Sequence, residues 1–411
     1  MDVILHQSSI VNHHSSIIVT GSKSESNRLL LLQALYPEIS IDNLSNSDDT
    51  LVMKKALNST SDVIDIHHAG TAMRFLTAYF SIQDGKEVVL TGSSRMKERP
   101  IQVLVDALNT LGAHISYLET QGCPPLKIKG KQLTKGQVSL KANVSSQYIS
   151  ALLLIAPKLK NGLELTLEGK ITSVPYINMT LDLLNQIGVQ TNFDDKVIQV
   201  KPLKTLNLKG KTLIVESDWS SASYFYSIVA LSSVGTTIQL SSYKQNSLQG
   251  DSALVDIYKS FGVLTRFKNN AIILQKVSIA NLPSLVKFDL SNAPDIAQTI
   301  AVTCFGLGIE CHLTGLHTLK IKETDRLLAL QNELEKLGAN VHITNHSLTL
   351  QASKKINSNG TITTYNDHRM AMAFAPLALK TTLQIEDAMV VSKSYPTFWD
   401  DLKTIGFKIT Q

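Results

Sequence analysis

Cysteine is scarce in these 411 residues: Cys123, Cys304 and Cys311 are the whole supply. An odd count of three cannot build a disulfide framework and suits a reducing compartment. Cys304, Cys311 and His312 do not match any zinc-ligand spacing and lie in apolar surroundings, so buried thiols are expected there and no metal site. Long hydrophobic runs are missing too. Leu29–Leu32 and Ala151–Ala156 fall far short of the roughly 18 residues that span a bilayer. Met1–Val11 has neither the basic region nor the apolar stretch of a signal peptide, and a cytoplasmic protein is expected. A large excess of one charge is absent: Lys and Arg number 39 against 34 Asp and Glu, a net +5. That is too mild to mark a nucleic-acid surface, and no aromatic residues interleave with the basic clusters. Neither Gly-x-Gly-x-x-Gly nor Gly-x-Ser-x-Gly occurs. Gly21-Ser-Lys-Ser lacks the spacing of a phosphate-binding P-loop.

What is present is a composition that buries a core, 43% hydrophobic and 18% charged. Disorder and collagen-like folds are excluded, and the length asks for two or three domains. An internal repeat refines this. Five segments end in an apolar-striped helix and a glycine, Gly112, Gly188, Gly262, Gly338 and Gly406. The stripe marks one buried helix face, and the glycine suits a left-handed cap where a Cβ would be strained. Hairpins follow, as at Val263–Phe267, the turn Lys268-Asn-Asn270, and Ala271–Leu274; Val341–Thr344 and Ser347–Leu350 repeat the pattern. A weaker sixth copy ends at Asn58, expected to replace glycine at the cap. Six α/β units of about 68 residues suit two domains of three units each.

Polar clusters open several apolar helices: Gly21–Arg28, Ala69–Arg74, Ser145–Gln147, Ser217-Asp218, Asn292–Asp295, Lys322–Arg326 and Asn366–Arg369. Ser, Asp and Asn at such positions are ordinary caps. Cations in the first turn, expected at Arg28, Arg74, Lys322, Arg326 and Arg369, are not, because they oppose the helix dipole unless an anion sits between. Helix starts carrying Lys or Arg point to phosphates or carboxylates as ligands.

These motifs, together with Leu90-Thr-Gly-Ser-Ser-Arg-Met-Lys-Glu-Arg-Pro100, Ser220-Ser-Ala-Ser-Tyr-Phe225 and Asp367-His-Arg-Met-Ala-Met372, resemble those of the 5-enolpyruvylshikimate-3-phosphate (EPSP) synthases over essentially the whole chain. The resemblance implies an α/β fold, a two-domain inside-out α/β barrel with three βαβαββ repeats per domain. It implies residues 1–20 with 218–411 in one domain, 21–217 in the other, and an active site in the interdomain cleft. It implies a transferase acting on phosphoenolpyruvate and shikimate 3-phosphate, without cofactor or metal, as a monomer.

By the same resemblance, shikimate 3-phosphate falls to Ser24, Arg28, Ser145, Ser146, Gln147, Ser173, Tyr176 and Lys322. Phosphoenolpyruvate falls to Lys23, Gly70, Arg99, Gln147, Arg326, Arg369 and Lys393, with Thr71, Arg74 and His368 in support. Asp295 is implied as the base at the substrate 5-hydroxyl and Glu323 as the acid, later the base, at the enol methylene, with Lys23 assisting the leaving phosphate. Several positions depart from the family pattern. His67-His68 stands for Gly-Asn, Phe75 for Pro, Thr318 for Asn, Val174 for Arg, and Trp219 for a small residue. Phe75, one helical turn after Thr71, is expected to press on Gly70 and Thr71. Two alternatives are weighed: the sister transferase using UDP-N-acetylglucosamine and a catalytically impaired homologue. Against the first stand Lys23-Ser24 in place of Lys-Asn and a loop, Arg95–Pro100, without cysteine.

Overall fold

The repeat read in the sequence recurs as one sheet pattern. In a computed structural model describing residues 1–10, 14–141, 145–169, 171, 174–203, 212–279 and 282–411, strand Leu285–Asp289 runs parallel to Glu310–Thr314. Glu310–Thr314 then pairs antiparallel with Leu348–Leu350, the far arm of the hairpin begun by Val341–Ile343. The same order is built by Val63–Asp65, Glu87–Thr91, Leu126–Lys129 and His114–Tyr117. It is built again by Gln137–Lys141, Leu163–Glu168, Val197–Val200 and Thr191–Asp194. Each unit is therefore a parallel pair joined through a helix, then a second helix, then a hairpin. This is the βαβαββ repeat.

The chain divides into two compact units, Met1–Gly21 with Glu216–Gln411, and Ser22–Val215. The N-terminus belongs to the first because its strands complete sheets there. Val3–His6 lies between Leu383–Ile385 and Lys408–Thr410, and His14–Ile17 runs parallel to Thr237–Ser241. The second unit holds the two four-stranded sheets from residues 63–129 and 137–200, and a parallel pair of Ser40–Asp42 with Thr212–Ile214.

The helix-ending glycines are left-handed: φ is 105° at Gly112, 93° at Gly188, 74° at Gly262, 95° at Gly338 and 109° at Gly406. Asn58 does not follow them. Its φ is −97°, and the helix Asp48–Leu57 is closed instead by Asn58 Nδ2 donating to the Lys54 carbonyl at 2.8 Å. Asn269 and Asn270, at φ of 52° and 56°, supply the two left-handed residues of the tight turn between Val263–Lys268 and Ala271–Lys276.

Burial explains the inside-out arrangement. Strands alternate, as in Gln137–Lys141, and so expose one face. Helices such as Trp219–Leu231 are buried on all sides, and every residue of His368–Phe374 is buried. A helix apolar all round belongs in the middle of its unit, with sheets outside it. Polar groups are then left at the helix ends, which is where the chemistry gathers.

Candidate active site

In the unit containing residues 216–411, three helix starts bring their charges together. A 3₁₀ turn, Pro294–Ile296, leads into the helix Ala297–Leu307 and carries Asp295. Asp325 caps Arg326–Lys336, its side chain accepting from Leu328 N at 3.2 Å. Asp367 caps His368–Phe374, accepting from Arg369 N at 2.9 Å.

Arg326 is 2% exposed and is surrounded by carboxylates on three sides. Its Nε donates to Asp367 Oδ2 at 2.6 Å, Nη1 to Asp295 Oδ1 at 2.8 Å and Nη2 to Glu323 Oε2 at 2.7 Å. A cation at the first position of a helix is unfavourable alone, and these three anions are what offset the dipole. Asp295 also meets Lys322 Nζ at 3.5 Å and Arg369 Nη2 at 3.3 Å. Burial would raise the Asp295 carboxyl, but Lys322, Arg369 and Arg326 outweigh it and hold the group well below the usual carboxylate range. Burial likewise works against Arg326 and Arg369, and their carboxylates overcome it, keeping both guanidiniums charged. Lys393 Nζ donates to the Asn366 carbonyl at 2.6 Å, at the turn where Tyr365 and Asn366 are left-handed, and His368 is buried with its Nδ1 4.0 Å from Asp367 Oδ1.

The other unit assembles a second set, poorer in carboxylates and richer in hydroxyls. Ser22 caps the helix Lys23–Leu35, and Lys23 Nζ lies 3.3 Å from Asp49 Oδ2. Ser145 caps Ser146–Ile155, and Gln147 Nε2 reaches Thr71 Oγ1 at 3.1 Å, joining two helix starts. Gly70 begins Gly70–Ser81 and leaves room for two guanidiniums: an added Cβ would lie 2.5 Å from Arg99 Nη1 and 3.2 Å from Arg74 Nη1, so that Arg99 would have to shift.

Several expectations are corrected here. Arg28 and Arg74 are in the second turn of their helices, not the first. Their partners are internal. Arg28 donates to Thr180 Oγ1 at 2.8 Å, to the Ser24 carbonyl at 2.7 Å and to Ser150 Oγ at 2.9 Å, and burial draws its pKa down to about 10. Arg74 Nη1 donates to the Gly70 carbonyl at 3.0 Å and Nη2 to the Pro100 carbonyl at 3.2 Å. Lys322 precedes its helix, following the 3₁₀ turn His317–Ile321. Phe75 is fully buried, with the Arg28 guanidinium 5.4 Å from its ring centre, and the atoms nearest to a Cβ built on Gly70 belong to Arg99 and Arg74. Tyr176 flanks the same guanidinium at 5.8 Å. Ser173 lies outside the described residues.

The other departures find local settings. Trp219 is buried, and its indole Nε1 donates to Glu216 Oε1 at 2.8 Å. His68 Nδ1 is 2.9 Å from Ser93 Oγ, and His67 is left-handed with its N–H donating to Asp65 Oδ1 at 2.8 Å. Val174 begins the helix Val174–Gln186, and Thr318 sits on the 3₁₀ turn before Lys322. Cys304 and Cys311 are buried free thiols, and His312 Nδ1 is 2.8 Å from Thr349 Oγ1.

Sequence reasoning assigned no role to Asp367, Asp49, Ser220 or Asp251. Asp367 was legible only as a cap within Asn366–Arg369; its ion pair with Arg326, 41 residues earlier, leaves no sequence signal.

Comparison with known proteins places the chain in a family. A model of the family "EPSP synthase (3-phosphoshikimate 1-carboxyvinyltransferase)" matches residues 54–402. A Bacteroides fragilis protein named 3-phosphoshikimate 1-carboxyvinyltransferase is 48% identical over 402 residues, covering 96% of each chain. One of the same name from Haemophilus influenzae is 36% identical, again covering 96% of each. In fold, the chain is similar to an EPSP synthase from Acinetobacter baumannii, with a TM-score of 0.79 at 21% identity and full coverage of both. The enolpyruvyl transferase NikO from Streptomyces tendae gives 0.72 at 13% identity, covering all of this chain and 98% of that one. With the family matched over most of the chain and relatives this similar end to end, the chain belongs to the EPSP synthase family.

Proposed function

We propose that this protein transfers the enolpyruvyl group of phosphoenolpyruvate to the 5-hydroxyl of shikimate 3-phosphate and releases phosphate. The observation carrying the reading is Asp295, a half-buried carboxylate held between Arg326, Lys322 and Arg369 with Glu323 on the same Arg326. The transfer needs two proton movements. The 5-hydroxyl gives its proton to Asp295 as its oxygen bonds to C2 of phosphoenolpyruvate, and Glu323 protonates the methylene carbon. The resulting tetrahedral ketal collapses as Glu323 takes a methyl proton back, the double bond reforms, and phosphate leaves with the bridging oxygen, assisted by Lys23 and taking up the proton that Asp295 received.

Charge supplies the reason that Asp295 becomes basic only when substrate is present. Its low proton affinity comes from three neighbouring cations. A phosphate or carboxylate from the substrate competes for those cations, and each one drawn away returns basicity to Asp295. The same competition frees Glu323 from Arg326 Nη2, allowing it to carry a proton. Arg326, Arg369, Lys393, Lys23, Arg99, Gln147 and the Gly70 turn take phosphoenolpyruvate in this reading. Ser24, Arg28, Ser145, Ser146, Gln147, Ser173, Tyr176 and Lys322 take shikimate 3-phosphate, and His368, Thr71 and Arg74 hold their neighbours in place.

In this reading the enzyme works as a monomer, and the free thiols fit the reducing cytoplasm as its place of work. Among the described residues no helix is long and apolar enough to cross a membrane. The test is phosphate release from phosphoenolpyruvate with shikimate 3-phosphate in one reaction and UDP-N-acetylglucosamine in another. Release only in the first supports the reading. Release only in the second moves the acceptor to the sister enzyme, and release in neither from folded protein makes the chain an impaired homologue.

A further inference from the structure

We propose that Asp251, acting through the hydroxyl of Ser220, is a positioning residue for Arg369; the inference rests on the phosphoenolpyruvate reading just given. Asp251 lies on the 3₁₀ turn Gly250–Ala253 and is 3% exposed. The Ser220 hydroxyl, in the first turn of Trp219–Leu231, donates to Asp251 Oδ2. Arg369 Nη2 donates to that same hydroxyl oxygen at 3.2 Å and lies 3.3 Å from Asp295 Oδ2.

A serine hydroxyl has one proton and a free rotor. Given to Asp251, that proton is turned away from Arg369, and the oxygen lone pairs face the guanidinium. Without the carboxylate the hydroxyl can rotate to donate elsewhere, and Arg369 loses an acceptor. Little else fixes this guanidinium. Its Nε is buried and meets no hydrogen-bond partner among the described residues, so Ser220 and Asp295 set where it points. The second Asp251 oxygen, Oδ1, is likewise buried without such a partner among the described residues. Burying a carboxylate for one hydroxyl donor is poor stabilisation, whereas orienting a substrate-binding arginine is a sufficient reason for it.

Burial first, then the nearby Asp295, pushes the Asp251 carboxyl up to about 7, against the opposing pull of Arg369 and the Ser220 hydrogen bond. The charged groups acting on it are Asp295 and Arg369, with Asp218 at the cap of the Ser220 helix. The relay therefore weakens as pH falls through neutrality.

The test uses the full chain and steady-state kinetics of Asp251→Asn, Ser220→Ala and Ser220→Thr, with thermal melts of each. The relay predicts that Asp251→Asn and Ser220→Ala raise the KM for phosphoenolpyruvate about ten-fold, with kcat and the KM for shikimate 3-phosphate changed less than about two-fold. Ser220→Thr, which keeps the hydroxyl, restores most of the affinity. The ratio of the Asp251→Asn KM to the parent KM closes toward one between pH 8 and 6, a comparison in which the substrate's own titration cancels. An unchanged KM, equal losses for both substrates, or a ratio flat with pH overturns the relay. If Asp251→Asn does not fold, the Ser220→Ala and Ser220→Thr pair decides. A parent protein that releases no phosphate sinks the proposed reaction separately. Calorimetry with phosphoenolpyruvate then judges the relay, weaker binding in Asp251→Asn supporting it and equal or absent binding in both overturning it.

Discussion

Asp367→Asn tests how much the three-carboxylate nest around Arg326 contributes. Asp367 is fully buried, takes the Arg326 Nε bond at 2.6 Å and caps the following helix through the Arg369 N–H. Removing one partner of a buried ion pair costs about 3–5 kcal/mol when the other charge is stranded. Here Arg326 keeps Asp295 and Glu323, and an asparagine oxygen can still cap. The expected loss is therefore smaller, about 2–3 kcal/mol, the discount reflecting the charge that remains compensated. In a unit of this size that lowers its melting temperature by about 4–12 °C. Tryptophan fluorescence reads the right unit, because the two tryptophans, Trp219 and Trp399, both lie in it. A melting temperature within about 1 °C of the parent refutes the reasoning, since it would mean that the shortest bond to Arg326 contributes no net stability.

Asp295→Asn and Glu323→Gln should each reduce kcat by several orders of magnitude while KM values move little, measured by phosphate release; equal losses in both terms would remove them from the chemical step. Gly70→Ala places a methyl 2.5 Å from Arg99 Nη1, the movable end of a side chain. The fold should survive with an unchanged melt, while the KM for phosphoenolpyruvate rises about ten-fold; a parental KM would show that Arg99 is not needed where it stands. For pH, Asp295 is more acidic folded than unfolded, so its contribution is complete above the ordinary carboxylate range and drains away as pH falls below it. The melting difference between the parent and Asp295→Asn should therefore be widest near pH 6–7 and narrow below about pH 4, and a difference that widens in acid would reverse the assigned sign.

Much of the architecture was legible because it is local. A glycine after an apolar stripe reports its own cap, and Asn269-Asn270 reports its own turn, so the repeats could be read without contacts. Asn58 misled because its side chain offered a second way to close the helix, through the Lys54 carbonyl. The clusters at helix starts were legible as polar residues before apolar ones. Their wiring was not, because it depends on pairs far apart in sequence, such as Arg326 with Asp367 and Arg28 with Thr180. Arg28 and Arg74 looked like first-turn cations because their helices start earlier than the apolar run suggests, at Lys23 and Gly70. Phe75 was expected to crowd the Gly70 turn from spacing alone, and only packing shows its ring against Arg28.

The central claim is that the enolpyruvyl group moves by addition and elimination, with phosphate taking the bridging oxygen. Phosphoenolpyruvate labelled with oxygen-18 at that bridge tests it directly, by mass spectrometry of the phosphate released with shikimate 3-phosphate. Addition and elimination give labelled phosphate, formed only when shikimate 3-phosphate is present and in step with its enolpyruvyl ether. Unlabelled phosphate with the label in pyruvate would mean the P–O bond is cut instead, and would contradict it.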